Sequence, residues 1–262
     1  MHEREVTKLT NTTDTVLITG GATGIGLALA ERFLAQGCQV IVVGRRAEKL
    51  AEAQDKHPRL ITRVADVADE ESRVELYHWV VENYPECNLL VNNAGIQKRI
   101  NLTKISDRSW SELREEIAIN LEAAIHLTLL FLPHLRSKER ATIIQVTSGL
   151  SLIPAPFAPI YSATKAALRS FTLSLREQLA DTQVRVVEIL PPAVNTDLGG
   201  VGLHTFGEPL DAFADGVFAD YLRGETEIGY GDAKQRLAMM PSEMHQRIAG
   251  MWRGFLQNNP DF

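Results

Sequence analysis

Two side chains in the run Tyr161-Ser162-Ala163-Thr164-Lys165 could move a proton together. The run begins a predicted helix, and residues four apart lie on one helix face, so the Tyr161 phenol and the Lys165 ammonium can point into one site. A phenol with a pKa near ~10 is a poor base at neutral pH, and a neighbouring cation lowers that pKa. We therefore expect proton exchange with a carbonyl or alcohol oxygen. The spacing also fits a half-buried aromatic residue followed by a surface lysine.

Further polar residues follow predicted strands at the edge where such a site would lie. Ser148 comes directly after a strand predicted over Thr142–Thr147, and Asn92-Asn93-Ala94-Gly95 ends another strand. In open α/β sheets, ligands bind outside the carboxyl ends of the strands. Asn93 could bridge neighbouring strands there, and Gly95 would let a cofactor ribose approach. An ordinary turn explains Asn-Asn-Ala-Gly about equally well.

A glycine-rich turn follows the first predicted strand, with the sequence Gly20-Gly21-Ala22-Thr23-Gly24-Ile25-Gly26, and a helix comes after it. Glycine allows positive φ and close approach of a ligand to the backbone. The N-terminus of the helix offers unpaired N–H groups and partial positive charge, which suit a pyrophosphate. The spacing differs from the common G-x-G-x-x-G fingerprint, and a merely tight turn stays open as an alternative.

The residues after the second strand bear on which dinucleotide would bind. A carboxylate there would favour NAD, whereas arginine accommodates a 2′-phosphate, and the chain has Arg45 and Arg46 at this point. We therefore expect NADP(H), although two solvated surface arginines would look the same and Glu48 keeps NAD(H) open. Asp66 follows the third strand, where it could bond the adenine amino group or act as a helix N-cap.

The elements that must position these residues alternate along the chain. Short β-branched runs predict buried parallel strands, and amphipathic stretches between them predict helices. The predicted strands are Thr15–Thr19, Gln39–Val43, Leu60–Val64, Leu89–Asn92, Thr142–Thr147 and Val184–Ile189. The predicted helices are Ile25–Gln36, Ala47–Lys56, Asp69–Tyr84, Asp107–Leu135 and Ser162–Ala180, with two more around Ala212–Leu222 and Ser242–Arg253.

This alternation predicts an α/β fold with a single doubly wound parallel sheet, Rossmann-like, and helices on both faces. We expect residues 1–262 to form one domain, within which residues 198–253 contribute a substrate loop and a C-terminal helical region. The segment Leu198–Asp211 is glycine-rich and irregular, and such a loop in a compact domain is usually functional or mobile.

Composition excludes several classes of function. The 262 residues are 45% hydrophobic and 23% charged with a net charge of −6, a balance that disfavours nucleic acid and membrane surfaces as partners. The polar N-terminus lacks the pattern of a secretory signal, and Leu121–Leu135 is expected to be a buried core helix rather than a membrane span. We expect a cytoplasmic protein whose cysteines, Cys38 and Cys87, are buried hydrophobic residues rather than reactive thiols. The histidines show no metal-ligand spacing, so no metal site is predicted.

Taken together, the motifs resemble those of the short-chain dehydrogenase/reductase family over residues 14–197. Thr19–Gly26 is similar to the family's T-G-x-x-x-G-x-G motif, and Asn92–Gly95 to its N-N-A-G. Asn120 falls where the family has a helix asparagine, and Ser148, Tyr161 and Lys165 match its catalytic triplet in order and spacing. Within the family, Gly44-Arg45-Arg46 and Ser148-Gly149-Leu150 resemble the oxidoreductases encoded in D-alanine/lipoteichoic-acid operons.

The resemblance implies a role for each matching residue. Tyr161 would be the acid/base, and Ser148 would bind the substrate oxygen. Lys165 would lower the Tyr161 pKa and bond the nicotinamide ribose. Asn120 would hold a water that joins Lys165 to solvent through a distorted helix backbone. Val194 and Thr196 would meet the nicotinamide amide, although Pro192 replaces the usual glycine and puts the local backbone in doubt. The cofactor contacts predicted in total are Gly20, Thr23, Gly24, Ile25, Gly26, Arg45, Arg46, Asp66, Val67, Asn93, Ala94, Gly95, Tyr161, Lys165, Val194 and Thr196.

The sequence therefore predicts an NADP(H)-dependent oxidoreductase for a small carbonyl or alcohol substrate. A non-catalytic NADP-sensing regulator on the same fold is the alternative, but it would predict loss of Tyr161 or Lys165, and both are present. Family members commonly pair two long helices across a two-fold axis, so a homodimer or homotetramer is expected. No clear clamp for a substrate carboxylate or phosphate is apparent. His204 is expected to be a solvated loop histidine rather than a catalytic group. The predicted walls of the substrate pocket are Gln97, Leu150, Pro154, Leu203, His204 and Phe206.

Overall fold

A seven-stranded, entirely parallel sheet forms the centre of the molecule. The structure, a computed structural model, describes residues 14–239 and 241–260. The strands lie in the order β3-β2-β1-β4-β5-β6-β7. Their bounds are β1 Thr15–Thr19, β2 Gln39–Gly44, β3 Leu60–Val64, β4 Cys87–Asn92, β5 Ala141–Val146, β6 Val184–Leu190 and β7 Glu227–Gly229. The doubly wound parallel sheet predicted from the sequence is confirmed.

Helices cover both faces of this sheet. Their bounds are α1 Gly24–Ala35, α2 Ala47–Lys56, α3 Glu70–Asn83, α4 Trp110–Ile117, α5 Ala123–Arg136, α6 Pro159–Gln178, α7 Leu210–Leu222, α8 Gly231–Leu237 and α9 Pro241–Asn258. One hydrophobic core packs α1, α2 and α7 on the sheet, around side chains such as Phe33 and Phe213. The other packs α3, α5 and α6, around Phe131 and Leu175. Alternating strands and helices give this layered arrangement because the central strands are buried on both faces.

The order of the strands reverses between β1 and β4. From β1 the chain proceeds to β2 and β3 on one side, and then returns to place β4 on the other side of β1. The loops that follow β1 and β4 therefore diverge and leave a crevice at their carboxyl ends, where ligands bind in open α/β sheets. The predicted site residues that follow β1, β4 and β5 meet at this edge.

Four features of the fold differ from expectation. The short strand β7 and the helix α8 were not predicted. Helix α6 begins at Pro159 rather than at Tyr161, because proline suits the first turn of a helix. The predicted helix Asp107–Leu135 is two helices joined by a π-helical turn, Ala118–Glu122.

The run from α4 to α5 is also longer than the predicted core helix. By length and composition alone, Trp110–Arg136 could cross a membrane. In the fold, however, its side chains Leu127, Phe131 and Leu135 lie fully buried against the sheet. The expectation of a core helix is confirmed.

Cys38 and Cys87 are both buried and form no disulfide, as expected. Burial raises the pKa of the Cys38 thiol to about 11 and that of Cys87 to about 12. Both are therefore uncharged at neutral pH and unreactive as nucleophiles. The N-terminal residues 1–13, on which the expectation of no secretory signal rests, lie outside the described residues.

Candidate active site

A cleft of about 1320 Å³ runs along the carboxyl edge of the sheet. It extends from the glycine-rich turn after β1, past the ends of β4 and β5, to helix α9. All sixteen residues predicted to contact a cofactor line it, together with Ser148. The fourth predicted catalytic residue, Asn120, is 1% exposed and lies behind the wall of the cleft.

The turn after β1 has the geometry that its glycines permit. Gly20 and Gly24 have φ of 65° and 55°, in the left-handed region that favours glycine. A Cβ on Gly26 would lie 2.3 Å from the Gly20 carbonyl oxygen, so only glycine fits there. The N-cap of α1, Thr23, makes no side-chain capping bond, which leaves the first N–H groups of the helix available to a phosphate.

Asn93 joins the end of β4 to this turn. Its Nδ2 donates to the carbonyl oxygens of Thr19 at 2.9 Å and Gly20 at 3.2 Å. The Thr19 hydroxyl oxygen in return accepts the N–H groups of Asn93 and Ala94, both at 3.1 Å. Asn93 thus bridges neighbouring strands, as one sequence interpretation predicted, and holds the turn in register with Gly95.

Arg45 and Arg46 lie at the end of β2, on the cofactor side of the cleft. Arg46 donates to the Thr23 hydroxyl at 3.3 Å, which directs its guanidinium towards the glycine-rich turn. Arg45 is 53% exposed and forms an ion pair with Glu115 at 3.1 Å. Both are partly solvated, as the alternative interpretation expected, and both also line the cleft.

Asp66 and Val67 form the wall beyond β3. The Asp66 Oδ1 accepts the N–H of Ala68 at 3.0 Å, and its second carboxylate oxygen is available to a ligand. The N-cap of α3 is Asp69, whose side chain accepts the N–H of Ser72 at 2.8 Å. The interpretation of Asp66 as the N-cap is therefore wrong, and an adenine contact is compatible with its position.

Tyr161 and Ser148 meet in the middle of the cleft. Tyr161 is 6% exposed and forms a hydrogen bond with Ser148, which favours the phenolate. The Ser148 Oγ also accepts the N–H of Leu150 at 3.0 Å, so the hydroxyl is fixed by the short turn that follows β5. Burial is the largest influence on the phenol and raises its pKa to about 12.

Lys165 lies beside Tyr161, where its charge was expected to lower the pKa of the phenol. Its Nζ donates to the Val146 carbonyl at 2.8 Å and lies 5.7 Å from the centre of the Tyr161 ring. It is 3% exposed, so it is not a surface lysine, and burial lowers its pKa to about 8. Burial opposes charge on both groups, so the Tyr161 pKa is raised although the Lys165 ammonium lies nearby.

Asn120 lies in the π-helical turn between α4 and α5. Its Oδ1 accepts the N–H of Ile96 at 2.8 Å, and its Nδ2 donates to the Ile96 carbonyl at 2.9 Å and to the Thr164 hydroxyl at 3.3 Å. These bonds join the helix to the loop after β4 and to α6, beside Lys165. The distorted helix backbone that the resemblance implied is present.

Glu116 is a buried acid next to the site, and no sequence motif marks it. It is fully buried one turn before Asn120, and its Oε1 accepts the N–H of Lys98 at 2.8 Å. Its Oε2 has no hydrogen-bond partner among the described residues. Burial raises its pKa to about 6, and its negative charge in turn raises the Tyr161 pKa.

Glu188 is a second buried acid, and it joins the strands to the catalytic helix. On β6 it accepts the Thr147 hydroxyl at 2.6 Å, next to Ser148, and forms an ion pair with Arg169 of α6. Arg169 lies one turn after Lys165, so this carboxylate fixes both sides of the site. A fully apolar strand pattern would have been the sequence expectation here, and no local motif marks Glu188.

Val194 and Thr196 close the cofactor side after β6. Val194 pairs with Glu208 in an isolated parallel bridge, and a Cβ on Gly24 would lie 3.4 Å from the Thr196 side chain. The segment therefore reaches the glycine-rich turn despite Pro192, and the described residues contain no cis peptide bond.

The substrate end of the cleft is only partly as predicted. Gln97, Leu150, His204 and Phe206 line it, whereas Pro154 is exposed outside it and Leu203 packs against Gly200 within the loop. His204 is half-buried, so it is less solvated than expected. Helix α9 adds walls that were not predicted, namely Met251, Gly254, Phe255, Asn258 and Asn259.

Arg99 and Arg236 place positive charge at this end of the cleft. Arg236 forms an ion pair with Asp232 and donates to the Gly149 carbonyl at 3.2 Å. Arg99 lies over the rings of Phe157 and Phe255. Two arginines that were not predicted therefore line this end of the cleft. Arginine in an irregular loop has no periodicity by which a sequence could reveal it.

Comparisons with known proteins agree with this geometry. The family model described as "short chain dehydrogenase" matches residues 14–201. The uncharacterised oxidoreductase DltE of Bacillus subtilis is 50% identical over 191 residues, covering 73% of this chain and 75% of DltE. A probable NADP-dependent dehydrogenase of Haemophilus influenzae is 31% identical over 195 residues, covering 73% and 76% of the two chains.

Solved structures share the fold. A short-chain dehydrogenase from Burkholderia cenocepacia, in complex with NADP, aligns with a TM-score of 0.78 at 26% identity and covers 91% of this chain and 99% of its own. A relative from Burkholderia phymatum, in complex with NAD, aligns with the same TM-score of 0.78 at 20% identity, covering 90% and 95%. With the family model matching residues 14–201, this chain belongs to the short-chain dehydrogenase/reductase family of oxidoreductases, which use nicotinamide cofactors.

Proposed function

We propose that this chain is an NADP(H)-dependent oxidoreductase that interconverts a small carbonyl compound and its alcohol, with Tyr161 as the acid/base. The observation that supports this most is the position of Tyr161, Ser148 and Lys165 in the same cleft as the uncapped N-terminus of α1. A proton donor and a dinucleotide seat thus face one space.

The residues of the cleft fit a dinucleotide phosphate. Gly20 and Gly24, with their left-handed backbone conformation, leave room for a pyrophosphate at the N-terminus of α1. The Arg46 guanidinium is directed to the same turn. Bound NADPH would supply the hydride. The relative from Haemophilus influenzae and the structure from Burkholderia cenocepacia, both associated with NADP by name, support the phosphate form.

Ser148 and Tyr161 have separate roles at the substrate oxygen. Ser148, held by the N–H of Leu150, is oriented to bind the substrate oxygen. In the direction of reduction, the Tyr161 hydroxyl gives its proton to that oxygen while hydride reaches the carbon, so the carbonyl becomes an alcohol. With a raised pKa, Tyr161 is protonated at neutral pH and ready to act as an acid. Behind Tyr161, Lys165 donates to the Val146 carbonyl and Asn120 bonds the backbone of Ile96.

Replacing Tyr161 with Phe tests the acid/base role. We expect turnover of carbonyl compounds, followed by nicotinamide absorbance, to fall by about a hundredfold or more, with little change in NADPH affinity. Tyr77→Phe is the matched control, because Tyr77 lies on α3, outside the cleft, and packs against Phe131 of α5. Turnover that survives in Tyr161→Phe would show that another group moves the proton.

Replacing both arginines tests the cofactor preference. The variant Arg45→Gln/Arg46→Gln should weaken NADPH binding about tenfold or more and leave NADH binding unchanged, because only NADPH presents a 2′-phosphate. Equal NADPH and NADH affinities in the parent protein would refute the argument from Arg45 and Arg46. A non-catalytic NADP sensor, the alternative function, predicts tight NADPH binding with no turnover of any carbonyl compound.

A further inference from the structure

Arg99 occupies a defined position at the substrate end of the cleft. Its guanidinium lies 5.8 Å from the ring centre of Phe157 and 5.5 Å from that of Phe255. The two rings stack on each other with centres 4.4 Å apart and planes 17° apart. Next to Arg99, the N–H of Ile100 donates to the Phe157 carbonyl at 2.9 Å, which fixes this loop. Phe157 packs against the cluster that contains Tyr161.

The charge of Arg99 is not neutralised by a neighbouring acid. Among the described residues it forms no ion pair, and its buried Nε has no hydrogen-bond partner. Arg236, at the same end, is paired with Asp232, and Arg45, at the cofactor end, is paired with Glu115. Burying a donor without a partner costs free energy. An acceptor that enters the cleft beside Arg99 would recover part of that cost.

His204 provides a second unpaired polar atom nearby. Its Nδ1 is buried without a partner among the described residues. Burial lowers its pKa, and the positive charge of Arg99 lowers it further. Both side chains line the cleft. A neutral imidazole can present an N–H or a lone pair to a ligand.

The acids around this end do not compete for Arg99. Asp197 lines the cleft but is exposed to solvent, and Glu116 is buried behind the wall, where it accepts the N–H of Lys98. The remaining walls are mostly apolar, including Leu150 and Met251. Among the described residues, the substrate end therefore combines apolar walls with one arginine, Arg99, that forms no ion pair.

We propose that the cleft takes a carbonyl or alcohol substrate that bears a carboxylate, which Arg99 binds while His204 contributes a hydrogen bond. The planar fork of a guanidinium matches the planar carboxylate in two parallel hydrogen bonds. A phosphate would call for more donors than one arginine and one neutral histidine provide. The inference rests on the proposed function for the reaction, but the binding of the carboxylate can be measured without turnover.

The first test is binding of carboxylates against their neutral esters. Three matched pairs are pyruvate, acetoacetate and levulinate, each with its methyl ester, added to the full chain loaded with NADP⁺. That complex holds no hydride to transfer, so binding by calorimetry is independent of catalysis. We expect at least one carboxylate to bind about tenfold or more tightly than its ester, as a charge-assisted hydrogen bond provides. No preference in any pair, including no binding at all, overturns the proposal.

Variants then assign the preference to Arg99. Arg99→Gln should reduce the preference for the carboxylate by about tenfold without changing ester binding, and Arg99→Lys should restore part of it. Arg108→Gln is the matched control, because Arg108 pairs with Glu112 at 2.7 Å outside the cleft. If Arg99 only anchors α9 through Phe255, Arg99→Gln will weaken carboxylate and ester alike, and the proposal fails.

The same variants separate this proposal from the proposed function. With NADPH, the parent protein should reduce the preferred oxo acid, and Arg99→Gln should raise its KM with little change in kcat. Tyr161→Phe should lose turnover while it keeps the carboxylate preference in binding. A parent protein that turns over substrate but shows no carboxylate preference rejects the carboxylate site alone. Carboxylate binding without any turnover rejects the oxidoreductase alone.

Discussion

The ionisation of Tyr161 is governed by burial, and this sets a pH dependence for each direction of reaction. With its pKa raised to about 12, Tyr161 is protonated at neutral pH. Reduction needs the protonated phenol, so its kcat/KM should be level through neutral pH. Oxidation needs the phenolate, so its kcat/KM should rise about tenfold per pH unit between about pH 7 and 9. Pre-steady-state rates in both directions check this, and a plateau of oxidation near neutral pH would contradict it.

The buried carboxyl of Glu116 should make the protein less stable as pH rises. Its pKa is raised from 4.5 to about 6, so the folded state holds the proton more tightly than the unfolded state. The stability it confers is full below pH 4.5 and is lost as pH rises through about 6, to a total of about 2 kcal/mol. Glu116→Gln should remove that loss, so at neutral pH its free energy of unfolding should exceed that of the parent.

Urea unfolding of the two proteins at about pH 4.5 and 7.5 measures the difference directly. Glu115→Gln is the control of opposite sign, because Lys98 and Arg45 lower the Glu115 pKa. That variant should lose a little stability at neutral pH, as expected for a partly exposed pair, and the loss should shrink only as the pH falls below the ordinary Glu pKa of 4.5. An equal gain for Glu116→Gln at both pH values would show that the effect is one of packing rather than of charge.

At the scale of elements, the junction of β1, its turn and α1 has no spare volume. A Cβ on Gly26 would lie 2.3 Å from the Gly20 oxygen and 2.5 Å from Asn93 Nδ2. Gly26→Ala should therefore lower the free energy of unfolding by about 1–3 kcal/mol and weaken NADPH binding at least tenfold. Gly250→Ala, in α9 with nothing within 4 Å, should instead raise it by about 0.5–1 kcal/mol. Thermal unfolding and NADPH titration report both, and normal NADPH affinity in Gly26→Ala would count against the pyrophosphate seat.

The sequence predicted long elements well and short ones poorly, for a physical reason. Five of the six predicted strands, β1, β2, β4, β5 and β6, are buried along most of their length and are rich in apolar residues, and all six were identified within one or two residues. Strand β7, Glu227–Gly229, is too short for any periodicity, and it exists because it pairs with β6. The π-helical turn at Ala118–Glu122 was implied only by family resemblance.

The same limit applies to the site. Ser148, Tyr161 and Lys165 were recognisable because they follow regular elements at fixed spacing, and the structure brings them together. Arg99 and Glu116 matter through tertiary contacts alone, since Arg99 stacks on Phe255 of α9, far along the chain. Spacing cannot show such a contact. It also could not show that burial would offset the effect of Lys165 on Tyr161.

At the scale of the whole molecule, α5 and α6 expose apolar side chains that the monomer does not cover. Leu129 of α5 is 54% exposed and Leu173 of α6 is 39% exposed. We expect these helices to pair with a second copy across a two-fold axis, so that each substitution acts twice in the interface. Leu129→Glu/Leu173→Glu should then convert a dimer or tetramer into a monomer, because four carboxylates would enter an apolar contact.

Sedimentation velocity over a range of concentrations measures the assembly, and circular dichroism shows whether the fold survives. Leu102→Glu is the matched control, since Leu102 is 60% exposed but lies on neither helix, in the 3₁₀ turn before α4. The cleft lies at the carboxyl edge of the sheet and is lined by residues of this chain, so a monomeric double variant should still bind NADPH. A parent protein that sediments as a monomer at every concentration would instead show that these leucines face solvent.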